Sequence, residues 1–321
     1  MTLWWRIARK LGVFVLSLFA ASILIFLATN ALPGDVAAVV LGADATPGAV
    51  ASLRAQLGLD QPLIVRYGEW IGGMATGDFG TSLLDGQPVA ALMAPRIAVT
   101  LWLAGLAIVV SLLIALPLGM VAALWRRRWQ GFAVNAAAQA GMAVPVFWGG
   151  ILLVLVFAVW LRWLPAGGYV PLGSDPCGWL THMILPVVTL ALVQAAVMIR
   201  YVRSAFVEVL SEDYYRTARS IGWTPFRALV RHGVRNAAVS LVTVAGLQLS
   251  STLVGAIVVE QVFTLPGLGS LLLTAVSQRD LVVVQDAVMF LVLIVLVINA
   301  LVDVSYLLID PRQRADGGGR R

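Results

Sequence analysis

Five long stretches without a charged residue constrain the fold of this chain more than any other feature. They cover residues 11–34, 97–125, 129–161, 176–199 and 236–259. Each provides the roughly 20 apolar residues that a helix needs to cross the hydrocarbon core of a bilayer. Backbone groups must pair with one another inside lipid, and the stretches lack the alternation of barrel strands. The sequence therefore predicts membrane-spanning helices.

A sixth stretch, residues 287–302, reaches spanning length only when Asp303 is included. Residues 261–278 are also uncharged, but Pro266 and two nearby glycines interrupt them, so we predict an extracytoplasmic loop and a short helix there. The composition, 60% hydrophobic and 12% charged residues, is far from that of a soluble domain. We therefore predict an all-α integral membrane protein with six transmembrane helices.

The basic residues indicate which ends of the spans face the cytoplasm. With six spans and a cytoplasmic N-terminus, most of the 22 basic residues lie in cytoplasmic segments, as the positive-inside rule requires. The exceptions on the outer side are Arg54, Arg66, Arg96, Arg162 and Arg279. A seventh span would place the C-terminal arginines outside. The charge pattern thus predicts that both termini are cytoplasmic.

The basic N-terminus followed by an apolar run also resembles a secretory signal peptide. The run from Leu11 to Thr29 is longer than the usual core of roughly 7–15 residues and no small-residue cleavage site follows it, so we expect a retained anchor. A net charge of +6 is also found in nucleic-acid-binding proteins. Here the excess lies at the cytoplasmic membrane face, where arginines meet anionic lipid. We therefore expect contact with the lipid bilayer and none with nucleic acid.

Several kinds of catalytic site have no support in the sequence. The only lysine, Lys10, follows no glycine-rich loop, which excludes a P-loop. His182 and His232 are far apart and form no zinc-protease pair, and no G-x-S-x-G elbow is present. We predict no catalytic residue, no metal site and no cofactor bound by this chain. A membrane enzyme is the function class that these observations favour least.

The loop at residues 211–236 is the longest basic interruption of the apolar pattern. Ser211, followed by two acids, predicts an N-cap and a first helical turn. Gly222 provides the left-handed position that ends this helix. Thr224 and Pro225 predict a second N-cap and first helical residue. We therefore predict two short helices joined by a glycine turn.

The loop carries an apolar and a basic surface. Its second helix is expected to carry one stripe of apolar residues: Phe226, Leu229, Val230 and Val234. Further apolar side chains surround the glycine turn: Tyr214, Tyr215, Ala218, Ile221 and Trp223. Such a surface suits insertion into a groove of a partner protein. The alternative is that the arginines only anchor the loop to lipid headgroups, which fits Arg231 and Arg235 better than the first helix.

The loop resembles the EAA coupling motif of binding-protein-dependent ABC transporter permeases, the type I importers. It has the Arg216-Thr217-Ala218-x-x-x-Gly222 form of the peptide and nickel branch. The family's usual leading Glu-Ala is replaced by Arg216-Thr217, so Ala218 and Gly222 match best. Further segments resemble the B-type subunit of dipeptide and oligopeptide importers: 32–42, 57–83, 163–168, 259–269 and 306–312. Residues 211–236 are called the coupling loop.

This resemblance implies a permease subunit of an ATP-driven importer in the inner membrane of a bacterium, without catalysis of its own. The implied partners are a second homologous permease, two ATPase subunits that bind ATP and magnesium, and an extracytoplasmic solute-binding protein. The residues expected to couple to the ATPases are Tyr215, Arg216, Thr217, Ala218, Gly222, Trp223, Thr224, Pro225, Phe226 and Arg227. Peptide is the cargo that it implies, with nickel, glycosides or other small solutes as alternatives. An exporter or channel subunit is the competing class, but it has no need of paired cytoplasmic helices.

The fifth span has an unusually polar middle, which suggests a hydrated translocation path. The candidate path residues are Gln248, Ser251, Thr252, Gly255 and Glu260. The alternative is close helix packing, because Gly246 with Ser250 and Ser251 with Gly255 have small-x-x-x-small spacing. Prolines inside three apolar stretches are expected to free backbone carbonyls or to kink their helices: Pro117, Pro145 and Pro186.

We divide the chain into three regions. Residues 1–93 form an anchor helix and an extracytoplasmic region, 94–310 the permease domain and 311–321 a cytoplasmic tail. Within the first region, Thr46-Pro47 predicts a short helix at Val50 to Leu57, and a second helix is expected from Pro62 to Met74. Both are expected to lie on the outer membrane surface.

Overall fold

The computed structural model describes residues 3–31, 35–42 and 45–309. Within these ranges the chain is helical, and the only strand-like pairing is an isolated bridge between Thr81 and Pro88. The α-helices are α1 Leu3–Asn30, α2 Val36–Leu41, α3 Pro47–Gln56, α4 Leu63–Thr76, α5 Val89–Leu124, α6 Trp129–Ala143, α7 Val146–Leu153, α8 Pro176–Val209, α9 Asp213–Ser220, α10 Pro225–Ala228, α11 Val234–Val262, α12 Leu268–Gln278 and α13 Leu281–Ile309. Two π-helical segments, Val154–Trp160 and Leu229–Gly233, follow α7 and α10.

Five described helices are long and apolar enough to cross a membrane. The qualifying segments are Arg9–Asn30, Val89–Leu124, Pro176–Val209, Val244–Val262 and Leu281–Val302. A sixth is reached if the bent pair Trp129–Ala143 and Val146–Trp160 counts as one span. Helix α12 has 11 residues and is too short to span, which agrees with the short helix predicted after Pro266.

The third apolar stretch does not form the single straight helix that its length suggested. It breaks into α6 and α7, whose axes differ by 103°. Pro145 precedes α7, and Val144 has the extended backbone (φ −81°, ψ 120°) that a following proline favours. The kink predicted at Pro145 is thus a full break. Helices α5 and α8 instead continue through Pro117 and Pro186.

The chain divides into two compact units. Unit 1 comprises Met1–Val99 and Pro266–Leu296, and unit 2 comprises Thr100–Leu265 and Val297–Arg321, with residues 311–321 of the predicted tail outside the described ranges. The buried core of unit 1 joins α5, α12 and α13 through Val89, Met93, Leu268, Leu271 and Val283. The core of unit 2 joins α5, α6, α8, the coupling loop and α11: Ala115, Ala138, Phe206, Tyr215 and Leu241.

Glycines let the helices of unit 2 approach closely. A methyl group on Gly246 of α11 would lie 2.1 Å from Val302 Cγ2, and one on Gly255 would lie 2.9 Å from Leu190 Cδ1. Both distances are shorter than van der Waals contact, so a larger residue would push the neighbouring helices apart. The small-residue packing predicted for α11 is confirmed at these two positions.

The two short helices predicted between the first and second spans are present. Thr46 Oγ1 accepts a hydrogen bond from Ala49 N at 3.3 Å and caps α3, and α4 ends at Gly77, whose φ of +83° is left-handed. Arg54 pairs with Asp35 and Asp60, each at 3.0 Å. Hydrogen bonding to Arg54 holds the pKa of Asp35 below its ordinary value.

Candidate coupling loop and the polar face of α11

The first coupling-loop helix begins one residue later than its predicted cap requires. Helix α9 starts at Asp213, and the preceding Glu212 makes no side-chain capping bond. Ser211 was predicted as the cap, and this prediction is wrong. Its hydroxyl instead donates to Glu208 O, in the last turn of α8, at 2.6 Å.

The glycine turn and the second cap are confirmed. Gly222 has φ +95°, a left-handed conformation that favours glycine. Trp223 N donates to Ala218 O at 3.2 Å, which closes the end of α9. Thr224 Oγ1 then accepts a bond from Arg227 N at 3.3 Å, and Pro225 is the first residue of α10. These local bonds define the angle between α9 and α10.

One side of the loop is fixed in the core of unit 2. Tyr215 is 8% exposed and Ala218 is 4% exposed, and both pack in the cluster that contains Phe206 and Leu229. Burial raises the pKa of the Tyr215 phenol, which keeps this side chain neutral. The loop and the spanning helices α8 and α11 thus share one packed core.

The other side of the loop is open. Ile221 is 71% exposed and Phe226 is 57% exposed, and Arg216 and Thr217 are exposed with them. The guanidinium of Arg227 lies 5.0 Å from the centroid of the Trp223 ring, a cation–π contact that orients both side chains. Arg219, which sequence reasoning omitted, donates to Trp223 O across the same turn. The exposed surface is therefore apolar and basic.

The predicted apolar stripe of the second helix is only partly buried. Leu229 is fully buried and Val234 packs against the same cluster, but Phe226 and Val230 are exposed. The prediction assumed a uniform period of 3.6 residues. The segment Leu229–Gly233 is instead π-helical, and its different period changes which side chains share a face.

The candidate path residues of α11 lie in different environments. Gln248 Nε2 donates to Gln194 Oε1 on α8 at 2.7 Å, and the buried Thr252 hydroxyl donates to Gln248 O at 2.6 Å. Gly255 packs closely against Leu190. Of the five candidates, only Ser251 is exposed. It shares its face with Leu247, Val254 and Val258, so this face is mainly apolar.

Glu260, the fifth candidate, lies inside unit 2. Its side chain is 0% exposed and accepts a hydrogen bond from Thr100 Oγ1 at 2.6 Å. Its burial is consistent with a structural role, because a buried carboxylate needs hydrogen-bond donors. Gln194 was not predicted, although an amide within a long apolar helix is a recognisable signal. Among the described residues, no three His, Cys, Asp or Glu side chains converge as metal ligands would.

Comparison with known families tests the family resemblance that the coupling loop and the spanning helices suggested. The model of the family described as binding-protein-dependent transport system inner membrane component matches residues 115–315. The chain belongs to this family. A second model, for the N-terminal part of such membrane components, matches residues 3–104. The resemblance carried by the coupling loop is thereby confirmed.

Named relatives align with this family member over nearly its whole length. A protein of Brucella abortus (strain 2308), named as a peptide transport system permease, is 43% identical over 97% of this chain and 98% of its own length. The glutathione transport system permease protein GsiC of Escherichia coli (strain K12) is 42% identical over 96% of this chain and 98% of its own.

One solved structure has a fold similar to that of this chain. An inward-facing conformation of the MetNI methionine ABC transporter matches with a TM-score of 0.56 and 17% identity. The match covers 68% of this chain and 96% of that chain. At this identity the likeness concerns the helical fold alone.

Proposed function

We propose that this permease forms half of the translocation path of an ATP-driven importer of short peptides. The choice of peptide is supported by the named relatives, one a peptide permease and the other a permease for glutathione, itself a tripeptide. The observation that carries the proposal is the two-sided coupling loop. Its buried side is continuous with the spanning helices, and its exposed side presents Ile221 and Phe226 to a partner.

The loop would transmit the work of two separate ATPase subunits, which bind ATP and magnesium. Closure of an ATPase against Ile221 and Phe226 pushes on α9 and α10. Because Tyr215, Ala218 and Leu229 are packed among α8 and α11, the push moves those helices as a body. A second homologous permease supplies the other half of the path, and an extracytoplasmic binding protein delivers the peptide.

The orientation in the membrane follows from the arginines. The coupling loop, both termini and the basic turn after α5 face the cytoplasm, and residues 35–88 lie outside. Any hydrated path along α11 runs past Ser251, the exposed polar residue of its middle. The less exposed Gln248, Thr252 and Glu260 then act on the path by holding α11 in place.

The test is reconstitution of the permease with the second permease, ATPases and binding protein encoded beside it. Proteoliposomes should accumulate a labelled dipeptide only when ATP is enclosed in the vesicles, on the side that corresponds to the cytoplasm. An Ile221→Ser, Phe226→Ser double variant should lose ATPase binding by at least about tenfold, since exposed apolar anchors dominate such interfaces. The matched control is Val254→Ser, an equally exposed apolar residue on α11.

Three results would contradict all or part of the proposal. Uptake without ATP or without the ATPases would assign the chain to the channel class. ATPase binding that is unchanged in the double variant would show that the loop is not the docking surface. Uptake of nickel or a glycoside in place of peptide would retain the importer and replace its substrate.

A further inference from the structure

Unit 1 contains a cavity that neither the coupling loop nor α11 touches. Its volume is about 280 Å³, and it lies among the end of α1, the turn after α3, helix α4 and the first turn of α13. Three aromatic and three charged side chains are prominent in its lining: Phe26, Trp70, Phe79, Arg66, Glu69 and Asp78. The volume is just below the roughly 300–1,000 Å³ of drug-sized sites, so the cavity suits a small ligand. We call it the outer cavity.

The aromatic wall of the outer cavity is held rigidly. Phe26 and Trp70 are stacked, with centroids 6.1 Å apart and an interplanar angle of 24°. The Trp70 indole N–H also donates to Asp286 Oδ1 at 2.7 Å, and Asp286 is 1% exposed. Tyr67 packs edge-on against Phe26 and shares a 2.8 Å hydrogen bond with Ser22. A wall fixed in this way loses little entropy when a ligand binds.

Arg66 provides a cation without a carboxylate partner among the described residues. It is half-buried, and no described Asp or Glu oxygen lies within 4.0 Å of its guanidinium. Burial, and then the charge of Arg54, lower the pKa of Arg66. The guanidinium nevertheless stays charged at neutral pH. An anion that reaches Arg66 would therefore gain an unshared, partly desolvated partner.

Glu69 and Asp78 bring negative charge to the same lining. Both side chains are exposed, and Asp78 Oδ1 accepts a bond from Gly80 N at 3.0 Å, which fixes its carboxylate at the cavity. One cation, two acids and an aromatic wall complement a molecule with a carboxylate, an ammonium group and an apolar body. A purely anionic ligand would be repelled by the two acids.

We propose that the outer cavity binds a short peptide of two or three residues. The C-terminal carboxylate pairs with Arg66, the N-terminal ammonium group lies near Glu69 and Asp78, and an apolar side chain packs against Phe26 and Trp70. This inference rests on the proposed function for the choice of peptide among zwitterions. It goes beyond that function by giving the permease a peptide site of its own in unit 1.

The test uses the complete transporter complex in phosphatidylcholine nanodiscs without binding protein. Saturation-transfer NMR and calorimetry follow the dipeptide Ala-Phe, its C-terminal amide and its N-acetyl form. Ala-Phe should bind saturably, and the amide should bind about tenfold more weakly because the charge-assisted bonds to Arg66 are lost. Arg66→Gln should weaken the binding of Ala-Phe by a similar factor and leave the binding of the amide unchanged. The double variant Glu69→Gln, Asp78→Asn should weaken the binding of Ala-Phe and leave the binding of its N-acetyl form unchanged.

Two control variants separate charge recognition from folding. Arg66→Lys keeps the charge and should retain most of the binding. Arg162→Gln removes an exposed arginine in unit 2, outside the cavity lining, and should bind as the unaltered complex does. Equal binding of acid and amide would overturn the proposal, and so would equal affinities of Arg66→Gln and Arg162→Gln.

Three further outcomes also decide the question. If mass spectrometry finds a phospholipid retained by the complex and lost in Arg66→Gln but not in Arg162→Gln, a lipid occupies the cavity and the peptide site is refuted. ATP-dependent peptide uptake without Ala-Phe binding refutes the cavity site and leaves the proposed function intact. Ala-Phe binding without any ATP-dependent uptake refutes the proposed function and leaves the site.

Discussion

The coupling loop and the outer cavity place similar side chains in opposite ways. In the loop, Phe226 and Ile221 point away from the core and their arginine neighbours are exposed. In the outer cavity, Phe26 and Trp70 form an inner wall, and Arg66 is half-buried beside them. A surface that exposes its apolar groups suits a large partner, whereas a lined hollow suits a small molecule. This contrast is why we propose protein docking at the coupling loop and ligand binding at the outer cavity.

The largest expected effect tests whether the buried side of the coupling loop stabilises the folded protein. Leu229→Ala removes a fully buried side chain from the core of unit 2 and should lower the free energy of unfolding by about 2–5 kcal/mol. Val230→Ala, at the adjacent and 42% exposed position, is the matched control and should cost less than about 1 kcal/mol. Thermal unfolding of the detergent-solubilised complex measures both. Equal losses would mean that the loop has no distinct buried side.

The next prediction addresses the rigid wall of the outer cavity. Trp70→Phe keeps an aromatic ring but removes the N–H that donates to the buried Asp286, and should cost about 1–3 kcal/mol. Trp160→Phe changes a 70% exposed indole and should be nearly neutral. The unfolding midpoint in denaturant measures the difference. A neutral Trp70→Phe would show that the Asp286 contact does not hold the wall.

Much of this local structure could be predicted, because it depends on a few neighbouring residues. Thr46-Pro47, Gly222 and Thr224-Pro225 specify caps and turns by their own backbone chemistry. The failures lie where distant groups decide the outcome. The bond from Trp70 to Asp286 joins residues 216 positions apart, and the Gln248–Gln194 pair joins residues 54 apart. No local pattern specifies such partners.

The helix break at Pro145 shows a second kind of limit. A proline within an apolar run predicts lost hydrogen bonds, but the outcome ranges from an unbroken helix at Pro186 to a 103° bend at Pro145. The proline alone therefore does not determine the outcome. The degree of burial does not determine it either, because the well-buried α8 and the less buried α5 both continue through their prolines.

A smaller effect is expected at two glycines that both adopt a left-handed backbone conformation. Gly222 in the loop and Gly77 at the end of α4 both have positive φ, +95° and +83°, with open space where an added methyl group would lie. Alanine at either position should cost about 1 kcal/mol, because the left-handed conformation crowds its Cβ. Only Gly222→Ala should also lower peptide-stimulated ATP hydrolysis. A similar loss in Gly77→Ala would remove the functional distinction between the two regions.

The smallest effect concerns the partly exposed ion pairs near the outer cavity. Arg54→Gln should lower the free energy of unfolding by less than about 1 kcal/mol, because such pairs contribute little. It should raise the pKa of Asp35 towards 3.8, which carbon NMR of labelled aspartate carboxylates measures. The sign follows from the lowered pKa: the pair stabilises the folded state above pH 3.8 and is lost as the pH falls through the folded value. An unchanged Asp35 pKa would show that Arg54 does not hold it.

The π-helical segment Leu229–Gly233 influences how α10 is rotated about the helix axis relative to α11. A π turn accommodates one residue more than an α turn, and successive α-helical residues are about 100° apart around the axis. In a regular α-helix, one additional residue between α10 and α11 would rotate the Phe226 side chain by about 100° relative to α11. The π turn takes up that residue within one turn, so it preserves the direction in which the loop presents its surface.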